Sequence, residues 1–67
     1  MSSKIGEKIK KLRQQKKMSQ DRLSKKADLA LNTILKIETG ENSNPTLETL
    51  QKIAKALDIP LEKLIKL

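Results

Sequence analysis

Cysteine, histidine and all three aromatic residues are absent from this chain, and each absence removes a class of chemistry. Without cysteine there is no disulfide framework and no thiolate metal site; the absence fits a reducing compartment. Without histidine the commonest general base and metal ligand is missing. With carboxylates not converging on any motif either, the sequence points away from an enzyme and calls for no metal and no other cofactor. Without Phe, Tyr or Trp the core must be aliphatic. No apolar run approaches the roughly 18 residues that a membrane span needs. The first residues lack the apolar stretch of a signal peptide, so the expectation is a cytoplasmic protein with no membrane partner.

What is present is charge, unevenly placed. Of 67 residues, 15 are Lys or Arg and 8 are Asp or Glu, a net charge of +7. Residues 1–26 hold ten of the cations and two acids, and residues 27–67 hold five cations and six acids. A basic half beside a near-neutral half suggests one positive face aimed at a polyanion. A lysine-rich solvated surface and an anionic membrane surface are the alternatives that charge alone leaves open. At this length only about 60% of the unfolded chain's surface is buried on folding, so a single small domain over 1–67 is expected, with a small core.

The apolar spacing describes five short helices. Ile5, Ile9 and Leu12 form one stripe on a first helix from about residue 3 or 4 to 16. Met18 follows in the connection and plugs the core. Ser19 is a good N-cap for a second helix, and Asp21 suits its positive end. That helix is expected to end near Ala27. Asp28 then occupies a turn, because Asp tolerates the left-handed conformation better than most residues. A third helix runs from about Leu31 to Glu38 and stops at Gly40. Glu41-Asn42-Ser43-Asn44-Pro45 is a polar loop. Thr46 caps a fourth helix, with Leu47, Leu50, Ile53, Ala54 and Leu57 expected on one face. Pro60 breaks the run, and a short fifth helix presents Leu61, Leu64 and Ile65.

Residues 19–39 carry the most information. A continuous helix places Leu29 off the stripe of Leu23 and Ala27; a break near Asp28 lets Leu23, Ala27, Leu29, Ile34 and Ile37 point into one core. Two helices joined in this way make a helix-turn-helix, whose second helix can lie in a DNA major groove.

From Ile5 to Leu64 the sequence resembles the Cro/phage-repressor helix-turn-helix family of the Xre type. The match rests on Ile5-Gly6, Ile9, Leu12-Arg13, Met18-Ser19-Gln20, Leu23, Ile34, Ile37-Glu38-Thr39-Gly40, Pro45-Thr46-Leu47, Leu50, Ile53-Ala54 and Leu57, at the family's spacing over nearly the whole chain. The resemblance implies an all-α, five-helix, lambda-repressor-like domain. It implies a transcriptional regulator, a repressor by kind, that binds double-stranded DNA as a dimer on a palindromic operator. It also implies roles. Ala30, Leu31, Asn32 and Lys36 match positions that face base edges. Ser19, Gln20 and Thr33 match phosphate contacts, and Gln20 can also brace the recognition helix. Asn42, Ser43 and Asn44 occupy a loop that often carries Lys or Arg to grip phosphate. Arg13 and Glu38 match a structural ion pair between the first and third helices. The other departures are Asp28 where the turn usually has Gly, Ala30 where the helix usually opens with Ser or Thr, and Ser24 in place of a small apolar residue.

Each position also has a plainer reading. Gln20 can be a helix-opening residue, Asn32 an exposed helix residue, and Lys36 a phosphate rather than a guanine contact. Leu31 can be exposed without purpose or pack on thymine methyl groups. Leu35 suits a neighbour of the first helix or a dimer edge. Arg13 and Glu38 can be ordinary surface charges. Leu61, Ile65 and Leu67 are expected at a weak homodimer contact, because one helix face cannot bury the whole apolar C-terminal segment; completing the monomer core is the alternative. With no sensory domain in 67 residues, regulation would come from concentration, cooperativity or a protein partner. The resemblance places such a protein on nucleoid DNA, in a prokaryotic cell or a phage-infected host. The competing reading is a protein-interaction or bridging module on the same fold, including an antitoxin-type partner binder.

Overall fold

Helix ends in this chain are set by a few residues, and they fix how the helices turn on one another. The structure is a computed structural model in which residues 4–65 are described. Those residues form α1 (Lys4–Gln15), α2 (Gln20–Lys26), α3 (Leu31–Thr39), α4 (Leu47–Ala56) and α5 (Leu61–Ile65).

Two starts are capped by hydroxyls. Ser19 Oγ accepts from the Arg22 N–H at 3.0 Å, and Thr46 Oγ1 accepts from the Thr49 N–H at 3.1 Å. Each satisfies one of the amides that a helix start leaves unpaired. α3 starts differently: Ala30 has the same extended backbone but offers no side-chain cap.

Three of the ends share one device. After α1, the Lys17 N–H donates to the Gln14 carbonyl and the Met18 N–H to the Arg13 carbonyl; after α2, Asp28 donates to Lys25 and Leu29 to Ser24; after α4, Asp58 donates to Lys55 and Ile59 to Ala54. This is the Schellman pattern, which needs a left-handed residue followed by an apolar one. Lys17, Asp28 and Asp58 have φ of 55°, 56° and 58°. Met18 is buried, and Leu29 and Ile59 pack partly buried against the core. α3 closes at Gly40, with φ 88°, and the Asn42 N–H donates to the Lys36 carbonyl at 2.9 Å.

The three short turns let α3 pack against α1 and α2, α4 against α2 and α5, and α5 return to α1. Ile9, Leu23, Ile34, Ile37, Ile53 and Leu57 are fully buried between them. The core is aliphatic, and with Leu64 of α5 its members come from all five helices. Leu47 departs from the sequence expectation: it is 57% exposed. It lies in the first turn of α4, and the stripe that meets the core is Leu50, Ile53, Ala54 and Leu57, so Leu47 falls on its edge. The expected end of α2 at Ala27 becomes a cap at Ala27 after Lys26, and α3 runs to Thr39 rather than Glu38.

Candidate nucleic-acid interface

α3 has two unlike faces. Ile34, Ile37 and Glu38 are buried, while Leu31, Asn32 and Lys36 are exposed, and Thr33 and Leu35 are half-buried between them. The apolar members lock the helix to α1 and α2. The polar members are left for whatever approaches from outside.

Glu38 is a charge inside this lock. Its side chain is 2% exposed, and that of its partner Arg13 is 10% exposed. Arg13 Nε donates to Glu38 Oε2 at 2.8 Å and Nη2 to Oε1 at 3.1 Å, a two-pronged bond that fixes direction as well as distance. Gln20 Nε2 donates to Oε1 at 3.0 Å. Arg13 Nη1 also donates to the Met18 carbonyl at 2.6 Å. One carboxylate therefore gathers α1, the α1–α2 turn, the start of α2 and the end of α3. A buried pair of this kind orients helices more than it stabilises them. Among the described residues no buried side-chain nitrogen or oxygen lacks a partner.

This network decides what Ser19 and Gln20 have left to offer. The Ser19 oxygen caps α2, which leaves its hydroxyl proton as a donor. The Gln20 amide nitrogen is engaged with Glu38, so one face of the side chain braces α3 while the residue stays partly accessible.

The loop after Gly40 is also shaped. The Asn42 N–H closes onto α3, and Asn42 Oδ1 accepts from the Asn44 N–H at 3.1 Å. Asn42, Ser43 and Asn44 are all exposed. With Oδ1 engaged by the Asn44 N–H, the Asn42 amide nitrogen is the part of the side chain left to donate. Thr39 is exposed like Lys36, one turn before it, and belongs to the sequence match without an assigned role; its hydroxyl donates to the Lys36 carbonyl at 3.2 Å and accepts the Glu41 N–H at 3.4 Å. It finishes the helix end.

Positive charge lies mostly off α3. Lys36 is its only cation. On α2, Lys25 pairs with Asp21 at 3.1 Å, one helical turn away. Arg22 and Lys26, one helical turn apart on α2, are exposed, and so is Lys17 in the turn before it. Sequence reasoning passed over Lys17. The signal for it is the recurring step from a helix end to a polar residue and then an apolar one, at Lys17-Met18, Asp28-Leu29 and Asp58-Ile59.

In the apolar C-terminal segment, Leu64 is buried, Ile59 and Leu61 pack partly buried on the core, and Ile65 is 47% exposed. Leu67 lies outside the described residues. Ile65 borders an open cleft of about 400 Å³, floored by Ile5, Pro45, Leu50 and Leu64.

No helix among the described residues is long and apolar enough to cross a membrane. Nor do they contain a cluster of three acidic side chains suited to a metal ion.

Comparison with known proteins gives one answer. A helix-turn-helix family model matches residues 9–64. The immunity repressor protein of Bacillus phage phi105 is 34% identical over 61 residues, which cover 91% of this chain and 42% of that protein. The HTH-type transcriptional regulator SinR of Bacillus subtilis is 33% identical over 61 residues, covering 91% of this chain and 55% of SinR. The chain thus spans about half the length of the curated relatives it matches. Among solved structures, the N-terminal DNA binding domain of SinR superposes with a TM-score of 0.88 at 32% identity, covering 94% of this chain and 91% of that one. The restriction-modification controller protein C.AhdI from Aeromonas hydrophila gives 0.86 at 31% identity, covering 91% of each chain. With α2 and α3 as the two helices of the motif, this chain belongs to the Cro/Xre-type helix-turn-helix family and has its lambda-repressor-like fold.

Proposed function

We propose that this chain is a sequence-specific DNA-binding transcriptional regulator that places α3 in the major groove and acts as a repressor. The observation that carries the reading is the division of α3: its apolar face and Glu38 are buried, and a polar face with Leu31, Asn32 and Lys36 stands outside. The names of the relatives, a repressor and a transcriptional regulator, support it. Base contacts are assigned to Ala30, Leu31, Asn32 and Lys36. Asn32 has the donor–acceptor pair that matches adenine, and Lys36 the cation that suits guanine. Phosphate contacts are assigned to the Ser19 hydroxyl, to Gln20 and Thr33, and to the loop amides of Asn42, Ser43 and Asn44. Arg13 and Glu38 hold the reading helix in place and touch no DNA.

A palindromic operator needs a two-fold protein. We assign the dimer contact to the C-terminal segment, with Leu61, Ile65 and Leu67. Ile65 carries most of it, because Leu61 already packs on its own core. The adjoining cleft gives the second copy an apolar surface to cover. The contact is small, so dimerisation is weak in the free protein and is completed on DNA. The site of action is nucleoid DNA in the cytoplasm. The same cleft favours the second reading, a module that binds a protein partner.

Selection of bound sites from a random duplex pool tests the proposal. Recovery of a palindrome with half-sites about 10–10.5 base pairs apart supports it. Recovery of no sequence above background would leave the interaction-module reading standing.

A further inference from the structure

We propose that Lys17 is a DNA-phosphate contact at the α1–α2 turn, kept there at a cost to the stability of the fold; the inference rests on the DNA-binding reading above. The observation is the backbone. Lys17 has φ 55°, in the left-handed region, where a side chain with a Cβ is strained and glycine is not. Asp28 and Asp58 stand at the same point of the same turn, but Asp is among the residues that tolerate this region. Lysine has no such relief. Nor does the side chain earn its place by an internal contact: it is exposed, and among the described residues it forms no ion pair. What lysine adds at this point is a cation carried on a held backbone.

Its position is fixed relative to α3. The Lys17 N–H is held by the Gln14 carbonyl, and the next residue is held twice, by its N–H to the Arg13 carbonyl and by its carbonyl to Arg13 Nη1. The same Arg13 grips Glu38 on α3, and Gln20, three residues on, grips the same carboxylate. Lys17 thus opens the stretch of Ser19 and Gln20 that is assigned to phosphate, and it is tied through one buried carboxylate to the helix assigned to the bases. The strain persists because the surrounding bonds over-determine it, which is the setting in which strain marks a functional position. The loop after α3, residues 41–45, holds no Lys or Arg, so a cation at Lys17 supplies counterion release that the loop does not.

The test compares the wild type with Lys17→Gly, Lys17→Asn, Lys17→Arg and Asp58→Gly, by thermal unfolding and by titration of the selected duplex at several salt concentrations. Lys17→Gly is expected to raise Tm by roughly 2–8 °C. It is also expected to weaken DNA binding several-fold on every sequence and to make the log–log salt slope shallower by about 0.9. Lys17→Asn loses binding in the same way, whereas Lys17→Arg retains the affinity and the slope. Asp58→Gly raises Tm by less and leaves binding unchanged. A wild type that binds duplex while Lys17→Gly keeps full affinity and slope overturns the inference and spares the DNA-binding reading. A wild type that binds no duplex overturns both.

Discussion

The two faces of α3 are made under opposite rules. On the inner face, Ile34 and Ile37 are fully buried and Glu38 is tied by three hydrogen bonds, two from Arg13 and one from Gln20. On the outer face, Asn32 and Lys36 are exposed, and among the described residues nothing holds their side chains. The first face determines where the helix sits, and the second what it can touch. The difference predicts that stability and recognition separate along a single helix of nine residues.

The largest expected effect is on the inner face. Glu38→Ala leaves the Arg13 guanidinium buried with only the Met18 carbonyl, and such losses cost about 3–5 kcal/mol. A chain of this size has little more than that in reserve, so chemical denaturation is expected to show a lost or strongly weakened cooperative transition. Ile34→Ala comes next, at about 2–5 kcal/mol from lost burial and the cavity left behind, read from the same curves.

The outer face is expected to behave in the reverse way. Asn32→Ala is expected to leave the unfolding midpoint within about 0.5 kcal/mol of the wild type. It is expected to weaken binding to the selected site by about 1–3 kcal/mol and to relax the preference at one base pair. Equal weakening on every sequence would show that Asn32 meets the backbone rather than a base. A large loss of stability would break the comparison itself.

The smallest effect sharpens the boundary between the faces. Ala30 has the extended backbone of a helix cap, like Ser19 and Thr46, but no side chain to close it. Ala30→Ser is expected to raise stability by about 1 kcal/mol, seen as a higher denaturation midpoint. At the C-terminus, sedimentation of Ile65→Lys with a palindromic duplex addresses the dimer. A folded variant that still fills both half-sites with undiminished cooperativity would move the contact elsewhere.

Much of the fold is legible along the chain because its signals are local. Ser19 and Thr46 mark helix starts through a hydroxyl that reaches three residues ahead. Gly40 and Pro60 mark breaks, and Leu23, Ala27, Ile34 and Ile37 fall together only if the chain turns at Asp28. The candidate site is less legible. Arg13 and Glu38 stand 25 residues apart, and no spacing rule relates them; only the family resemblance named them together. The roles of Gln20 and Asn42 as braces within the fold depend on where α3 ends. Leu47 reads as core by its apolar character and stands exposed because the turn it occupies lies at the edge of the buried stripe.

The sequence by itself determined the aliphatic core, the helix starts and the break that separates α2 from α3, since each follows from side chains acting within one or two turns of themselves. Only the tertiary structure decided which carboxylate collects Arg13 and Gln20 and which face of α3 is left outside. Those outcomes depend on packing between helices distant in sequence. There the cost of burying a charge is offset by partners that no local window contains.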